Sequence, residues 1–129
     1  MTLQELNTHL QLRMRLSSEE QTLRALQEAA YPKTNLDGMP KASGLKDRVG
    51  DLAVEIADLK ERIRYMREEV QRQEAPIKDF LTVVDDGNMR TILRLRFLRC
   101  LTWGEVAAVV GGRNTEEGVK AAFYRFLAS

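Results

Sequence analysis

The sequence predicts an all-α protein. We expect a long antiparallel helical hairpin or coiled-coil stalk over residues 1–76, a joint over 77–87, and a unit of three short helices over 88–129. Apolar residues at heptad spacing extend from Val49 to Ile77 and indicate a long amphipathic helix. Downstream, three short stretches with apolar residues at helical spacing are separated by two stop signals. Only three prolines and eight glycines among 129 residues argue against disorder.

Composition limits the classes of protein that fit. The chain is 43% hydrophobic and 30% charged, which is typical of one folded domain, or one domain with an extension, that has a modest core. Its single cysteine cannot form an internal disulfide, so nothing requires an oxidising compartment. The first residues lack the pattern of a signal peptide, and no run approaches the roughly 20 apolar residues of a membrane span. We therefore expect a cytoplasmic protein without a membrane partner.

Residues 3–30 carry two helical stripes of apolar side chains. The stripes are Leu3, Leu6, Leu10 and Met14 on one side, and Leu12, Leu16, Leu23, Leu26 and Ala30 on nearly the opposite side. Between them, Ser17 and Glu20 have the spacing of a capping box. The segment is therefore either one long helix that packs on two neighbours or two helices with a break near Ser17. His9 has no second His or Cys nearby, so we expect a surface or packing role and no metal site.

A connector is predicted over about residues 31–46. Tyr31-Pro32 stops the first helix, and the following sequence, KTNLDGMPKASG, has turn residues and no apolar period. Its glycine and lysine lack the spacing of a phosphate-binding Walker loop. We expect this segment to join two antiparallel helices.

The clearest helix begins near Leu45. Its apolar residues recur at spacings of three and four, and only one position of the series is polar: Val49, Leu52, Ile56, Leu59, Ile63, Met66, Val70, Gln73 and Ile77. We expect the first helix, residues 3–30, to pack on this seam. The two helices match in length, since each has about 28 residues and is therefore roughly 40 Å long. A two-helix hairpin alone buries little surface, which favours either dimerisation or docking of the C-terminal unit. We favour a homodimer through the heptad helix.

The joint at 77–87 begins after a proline. Pro76 should end or bend the heptad helix, because proline is tolerated best as the first residue of a new helix. A short apolar face follows and is closed by Asp85-Asp86-Gly87-Asn88; its members are Ile77, Phe80, Leu81 and Val84.

Residues 88–129 have the outline of a helix-turn-helix. The apolar positions of the three helices are Ile92, Leu93 and Phe97, then Val106 and Val109 or Val110, then Val119, Phe123 and Phe126. Thr102 and Glu105 can form a capping box at the start of the middle helix, and Gly111-Gly112 can end it. Asn114 can cap the last helix, with Glu117 at its third position.

Charge is divided unevenly along the chain. From Asn88 onward there are seven basic and three acidic residues, a net charge of +4, whereas the preceding residues have a net charge of −3. The basic excess is thus confined to the C-terminal unit, as attraction to nucleic-acid phosphates requires.

The C-terminal pattern resembles two related families. The stretch LRFLRCLTWGEVAAVVG resembles the DNA-reading region four of bacterial primary sigma factors, in which an arginine-rich helix precedes an aromatic and "E-(I/V)-A" helix. With GGRNTEEGVKAAFYRFL included, it is similar to phage-encoded late-transcription activators of the RinA and ArpU type. This resemblance implies a sequence-specific phage or prophage regulator in the cytoplasm of a bacterial host. Such a protein would bind double-stranded DNA and activate late or packaging genes, with host RNA polymerase as a candidate second partner. The resemblance also matches Thr115 to the polar residue at the start of the recognition helix, and Lys120 to the basic residue that follows the core valine of that helix.

The DNA-binding residues follow from which face of the last helix points inward. If Val119, Phe123 and Phe126 face the core, the outward residues of the helix and the preceding turn can reach bases and phosphates. The predicted DNA-binding residues are Arg113, Asn114, Thr115, Lys120, Tyr124 and Arg125, with Thr102 or Trp103 at the middle helix. Glu116 and Glu117 suit the helix dipole but repel phosphates.

No catalytic or metal-binding pattern is present in the sequence, so we predict no enzyme activity, no metal and no cofactor. Two other functions fit the same architecture. One is a DNA-packaging component similar to a small terminase subunit, and the other is a coiled-coil protein-interaction module that does not bind DNA.

Overall fold

The computed structural model describes residues 1–31 and 43–128, except for the side chains of 43–49. This part of the chain is all-helical and has no strand, as the sequence predicted. Its helices are α1 (Leu3–Ala30), α2 (Ser43–Thr82), α3 (Gly87–Leu93, continued by a π-helical turn at Arg94–Leu98), α4 (Trp103–Val110) and α5 (Glu116–Ala128). None of them combines the length and apolar character that crossing a membrane requires. Most of the predicted connector lies outside the described residues.

Helix α1 is one continuous helix, so the alternative of a break near Ser17 does not occur. It begins at a capping box that the sequence analysis did not predict. The hydroxyl of Thr2 accepts from the N–H of Glu5 over 3.2 Å, and the carboxylate of Glu5 accepts from the N–H of Thr2 over 3.0 Å. The two bonds satisfy donors that a helix start otherwise leaves unpaired.

Helix α2 does not end at Pro76 but continues to Thr82. A proline inside a helix removes one backbone hydrogen bond and crowds the preceding turn, at a cost of about 3 kcal/mol. The two apolar side chains that follow it, Ile77 and Leu81, are only 3% and 4% exposed. Burial of each contributes about 1.5–3 kcal/mol, which is enough to offset the proline.

The chain divides into two compact units: unit 1 comprises Met1–Met14 and the chain from Glu69 onward, and unit 2 comprises Arg15–Glu68. In unit 2 the buried apolar side chains are Ala30, Ile56, Leu59, Ile63 and Met66. The four from α2 are heptad positions predicted from the sequence. They are buried within a single chain, so the seam does not require a second copy, and the homodimer stays a prediction.

Among the described side chains of unit 2, two ion pairs join α1 to α2. Glu20 lies 3.2 Å from Arg67, and Glu19 lies 4.0 Å from Arg62. Both arginine side chains are well exposed, and exposed pairs of this kind contribute between zero and about 1 kcal/mol. The apolar seam therefore supplies most of the stability of unit 2.

The core of unit 1 combines helices α3, α4 and α5 with the first turns of α1 and the last turns of α2. Three aromatic rings lie at its centre: the Phe123 centroid is 5.4 Å from that of Phe97 and 5.1 Å from that of Trp103. The other buried apolar side chains are Leu6, Leu10, Ile77, Leu81, Val84, Met89, Ile92, Leu93, Val106, Ala107 and Val119. Residues of the predicted joint thus contribute to this core.

A polar pair is also buried in unit 1. His9 is 1% exposed, and its Nδ1 donates to Oε1 of Gln73 over 2.9 Å. Its other ring nitrogen, Nε2, is buried without a partner among the described residues. Desolvation by burial lowers the pKa of His9 below its ordinary value of 6.5, although the Gln73 hydrogen bond acts in the opposite direction. Gln73, the one polar residue of the predicted heptad series, is therefore the partner of His9, the one histidine of the sequence.

This burial predicts a pH-dependent stability. At pH values between the lowered pKa and 6.5, His9 binds a proton in the unfolded chain but not in the folded chain. The free energy of unfolding should therefore fall as the pH drops through this range. The slope for one proton is at most about 1.4 kcal/mol per pH unit. Urea unfolding at a series of pH values, followed by Trp103 fluorescence, measures it. The variant His9→Gln, which keeps a polar partner for Gln73, should lose this slope; an unchanged slope would show that another group causes it.

Candidate nucleic-acid interface

Helix α4 begins at the capping box that the sequence predicted. The hydroxyl of Thr102 accepts from the N–H of Glu105 over 3.1 Å, and the N–H of Thr102 donates to the Glu105 carboxylate over 3.0 Å. This backbone bond lowers the pKa of Glu105 below its ordinary value. The Thr102 hydroxyl also hydrogen-bonds this carboxylate, and the Thr102 side chain is exposed.

Trp103 belongs to the core. It is only 9% exposed, and its ring packs against Phe123 on one side. The guanidinium carbon of Arg96 lies 5.0 Å from the centroid of the Trp103 ring, and Nη1 of Arg96 donates to the carbonyl of Leu101 over 2.8 Å. Of the two residues predicted to contact DNA at this helix, only Thr102 is exposed. The proposed contact surface therefore includes Thr102 and does not include Trp103.

The turn between α4 and α5 depends on glycine. Gly111 and Gly112 have φ angles of +73° and +67°, a region in which other residues cost roughly 1–2 kcal/mol each. The N–H of Gly111 donates to the carbonyl of Ala107 over 2.9 Å and closes the last turn of α4. The helix thus ends at the glycines, as predicted, and Arg113 follows them as an exposed side chain.

The cap of α5 is Thr115, which corrects the prediction of Asn114. The hydroxyl of Thr115 accepts from the N–H of Gly118, three residues later in the chain, over 3.0 Å. Asn114 instead turns back, and its Nδ2 donates to the carbonyl of Gly111 over 2.7 Å. Because the Asn114 amide is used by the turn, the next hydroxyl in the sequence takes over the cap. Both side chains remain exposed.

Helix α5 has a buried face and an open face. Val119 and Phe123 are 2% and 1% exposed and face the core, as predicted. Tyr124 is 44% exposed, Arg125 is exposed, and Lys120 is half-buried. Six of the predicted DNA-binding residues therefore retain accessible surface on α5 or the preceding turn: Arg113, Asn114, Thr115, Lys120, Tyr124 and Arg125.

The two acidic residues at the start of α5 have different surroundings. A Cβ added at Gly104 would lie 3.6 Å from Oε2 of Glu116, so this carboxylate lies beside the first turn of α4. An anion is stabilised there by the helix dipole. Glu117 is exposed, with no ion pair or hydrogen bond from its side chain among the described residues. Of the pair, Glu117 is the one that would oppose phosphates.

The basic excess does not lie on α4 and α5. From Thr102 onward there are three basic and three acidic residues, so this segment has no net charge. The whole +4 comes from α3 and the chain just after it, and its four members are Arg90, Arg94, Arg96 and Arg99. Arg96 stacks on Trp103 and bonds the Leu101 carbonyl. Three arginines thus remain to attract an anion.

These three arginines line a cleft of about 630 Å³ within unit 1, here called the arginine cleft. Its charged residues are Arg90, Arg94 and Arg99 from the α3 region, Arg13 from α1, and Lys78 and Glu74 from α2. The Glu74 carboxylate already pairs with Arg13 and lies 3.6 Å from Nζ of Lys78. Within the described part of the chain, Arg90, Arg94 and Arg99 make no ion pair.

The residues of the arginine cleft were not predicted from the sequence as DNA-binding residues. One signal was available, since Arg90 and Arg94 are four apart and must share a helix face. Arg13 and Lys78 come from distant segments, and only the folded chain brings them beside α3.

The described residues contain no group of three or more His, Cys, Asp or Glu side chains arranged to hold a metal ion. Comparison of the chain with models of protein families, with curated proteins and with solved structures found no match.

Proposed function

We propose that this protein is a sequence-specific DNA-binding transcription regulator of a phage or prophage. In this proposal α4 and α5 form a helix-turn-helix, and α5 enters the major groove of a duplex. The observation that carries it is the division of α5 into two faces. Val119 and Phe123 are buried in the core, while Tyr124, Arg125 and the turn before the helix are exposed.

The side chains of this face suit two kinds of contact. Asn114 and Thr115 precede the first turn of α5, and amide and hydroxyl groups at this end of a recognition helix can bond base edges. Arg113, Lys120 and Arg125 carry positive charge for phosphates, which fix the position of a protein on DNA without reading sequence. Activation of late or packaging genes and contact with RNA polymerase follow from the resemblance to the RinA and ArpU type and belong to the same proposal.

Helices α1 and α2 would form the antiparallel stalk that carries the reading unit. Within unit 2, residues Glu19 and Glu20 of α1 pair with Arg62 and Arg67 of α2. Residues at the end of α1 and just after it, from Arg24 to Tyr31, line a groove with earlier residues of α2, Ala53 to Lys60. The opposite order of the partners along the two helices supports an antiparallel hairpin.

Replacing two charges on α5 tests the proposed function. A duplex selected from random sequence should bind the wild type, and the double variant Lys120→Ala/Arg125→Ala should bind it about 10- to 100-fold more weakly, since two charge-assisted bonds are lost. The slope of log affinity against log salt should become shallower by about 2. Fluorescence anisotropy across a salt series measures both quantities.

The matched control removes two exposed charges from unit 2. Arg24→Ala/Lys60→Ala changes the net charge equally and should leave affinity within about twofold. Equal binding by the wild type and the α5 variant would show that α5 is not the reading helix. Failure of the wild type to select any duplex would contradict the function itself.

A further inference from the structure

We propose that the arginine cleft is a second DNA contact, which binds backbone phosphates and supplies most of the electrostatic attraction of the protein to DNA. The inference rests on the proposed function and concerns residues outside α4 and α5. Its basic members are Arg90, Arg94 and Arg99 from the α3 region, with Arg13 from α1 and Lys78 from α2.

Charge is distributed unevenly within the C-terminal region. Binding to DNA requires cations that release counterions from phosphates. The segment from Thr102 onward has equal numbers of basic and acidic residues, so α5 can read bases but attracts a duplex only weakly. The net charge of +4 between Asn88 and Leu101 is the part of the C-terminal region able to supply that attraction.

The arginine cleft leaves its three arginines from the α3 region available to an anion. Its one carboxylate, Glu74, is neutralised by its ion pairs with Arg13 and Lys78. Arg94 and Arg99 are exposed and Arg90 is half-buried, and none of the three pairs with an acid in the described residues. Three like charges converge on one concave surface, and an anion bound there would relieve their mutual repulsion.

The chemistry and spacing of these arginines suit the phosphates of a nucleic-acid strand. A guanidinium presents a planar fork of donors that matches two oxygens of a phosphate, whereas a lysine offers a point charge. Arg90 and Arg94 lie one helical turn apart, about 6 Å along the axis of α3. Such a row fits the repeated charges of a nucleic-acid strand better than a single small anion. An acidic protein surface would also be attracted, and the experiment separates it from DNA.

The test replaces the three unpaired arginines together. In Arg90→Gln/Arg94→Gln/Arg99→Gln the slope of log affinity against log salt should become shallower by about 2–3, because about 0.9 is lost for each phosphate contact. Affinity at low salt should fall at least about tenfold. The matched control is Arg15→Gln/Arg24→Gln/Lys60→Gln in unit 2, which has the same change of net charge and should keep the wild-type slope. Trp103 fluorescence and helical circular dichroism verify that each variant is folded.

Each outcome bears on a different claim. If the wild type binds DNA and the triple variant keeps its slope, the cleft proposal is overturned and the role of α5 is untouched. If the wild type binds no duplex, both proposals fall.

Inorganic triphosphate, titrated calorimetrically without DNA, serves as a further probe. Tight binding of triphosphate to a wild type that binds no duplex would identify a free phosphorylated ligand instead of DNA. Should the triple variant melt early, the single exposed change Arg94→Gln is still expected to reduce the slope by about 1.

Discussion

Replacing Phe123 by alanine is expected to lower the free energy of unfolding of unit 1 by about 3–5 kcal/mol. The ring is 1% exposed, and it lies between the rings of Phe97 and Trp103. Its removal leaves a cavity and loses these two aromatic pairs as well as the edge contact with Tyr124, and each such pair contributes about 0.5–1.5 kcal/mol beyond its buried area. Trp103 is the one tryptophan in the sequence and contacts Phe123 directly, so its fluorescence during urea unfolding reports the change.

The next residue is a matched control. Tyr124 is also aromatic but is 44% exposed, and its ring centroid lies 5.2 Å from that of Phe123. We expect Tyr124→Ala to cost about 1 kcal/mol, chiefly through this one contact. The same change should weaken DNA binding, because the ring lies on the proposed reading face. Equal losses of stability in the two variants would mean that the inner and outer faces of α5 are wrongly assigned.

An aspartate at position 63 is expected to destabilise unit 2 by roughly 4 kcal/mol or more. Ile63 is 2% exposed at the centre of the seam, and Ile63→Asp introduces a buried carboxylate without a partner. Urea unfolding followed by helical circular dichroism measures the loss. Tyr65, two residues on, is 65% exposed, so Tyr65→Asp should change stability by no more than about 0.5 kcal/mol.

The oligomeric state of these variants separates two ways of covering the seam. If one chain buries Ile63, the aspartate variant loses helical structure whatever the protein concentration. A variant that stays folded but turns a dimer into a monomer, as sedimentation would detect, would instead show that the seam is covered by a second copy. That result would support the homodimer predicted from the heptad and would contradict burial of the seam within one chain.

Local signals in the sequence predicted several helix ends well. Thr102 and Glu105 form a capping box, and Gly111 ends α4, because each of these features depends only on residues a few positions apart. The choice between Asn114 and Thr115 as the cap of α5 could not be made in this way. Both residue types cap helices well, and the decision depends on the bond from the Asn114 side chain to Gly111.

Tertiary packing explains what the sequence left unresolved. The local rule for Pro76 predicts an end or a bend, but burial of the residues after it lets α2 continue. The charge count assigned +4 to the whole C-terminal unit and did not show that the segment from Thr102 onward has no net charge. The arginine cleft needs Arg13 and Lys78, which lie far from α3 in the sequence. A pattern within one helix cannot reveal groups that folding brings from other helices.

Chemical-shift mapping tests the central claim, that the open face of α5 reads DNA. A duplex selected from random sequence would be titrated into the isotope-labelled protein, and the backbone amide shifts would be followed residue by residue. We expect the largest changes from Arg113 to Arg125, with a second group near the arginine cleft that weakens as salt rises. Shifts that avoid α5 and the turn before it, in a protein that does bind the duplex, would contradict the proposal.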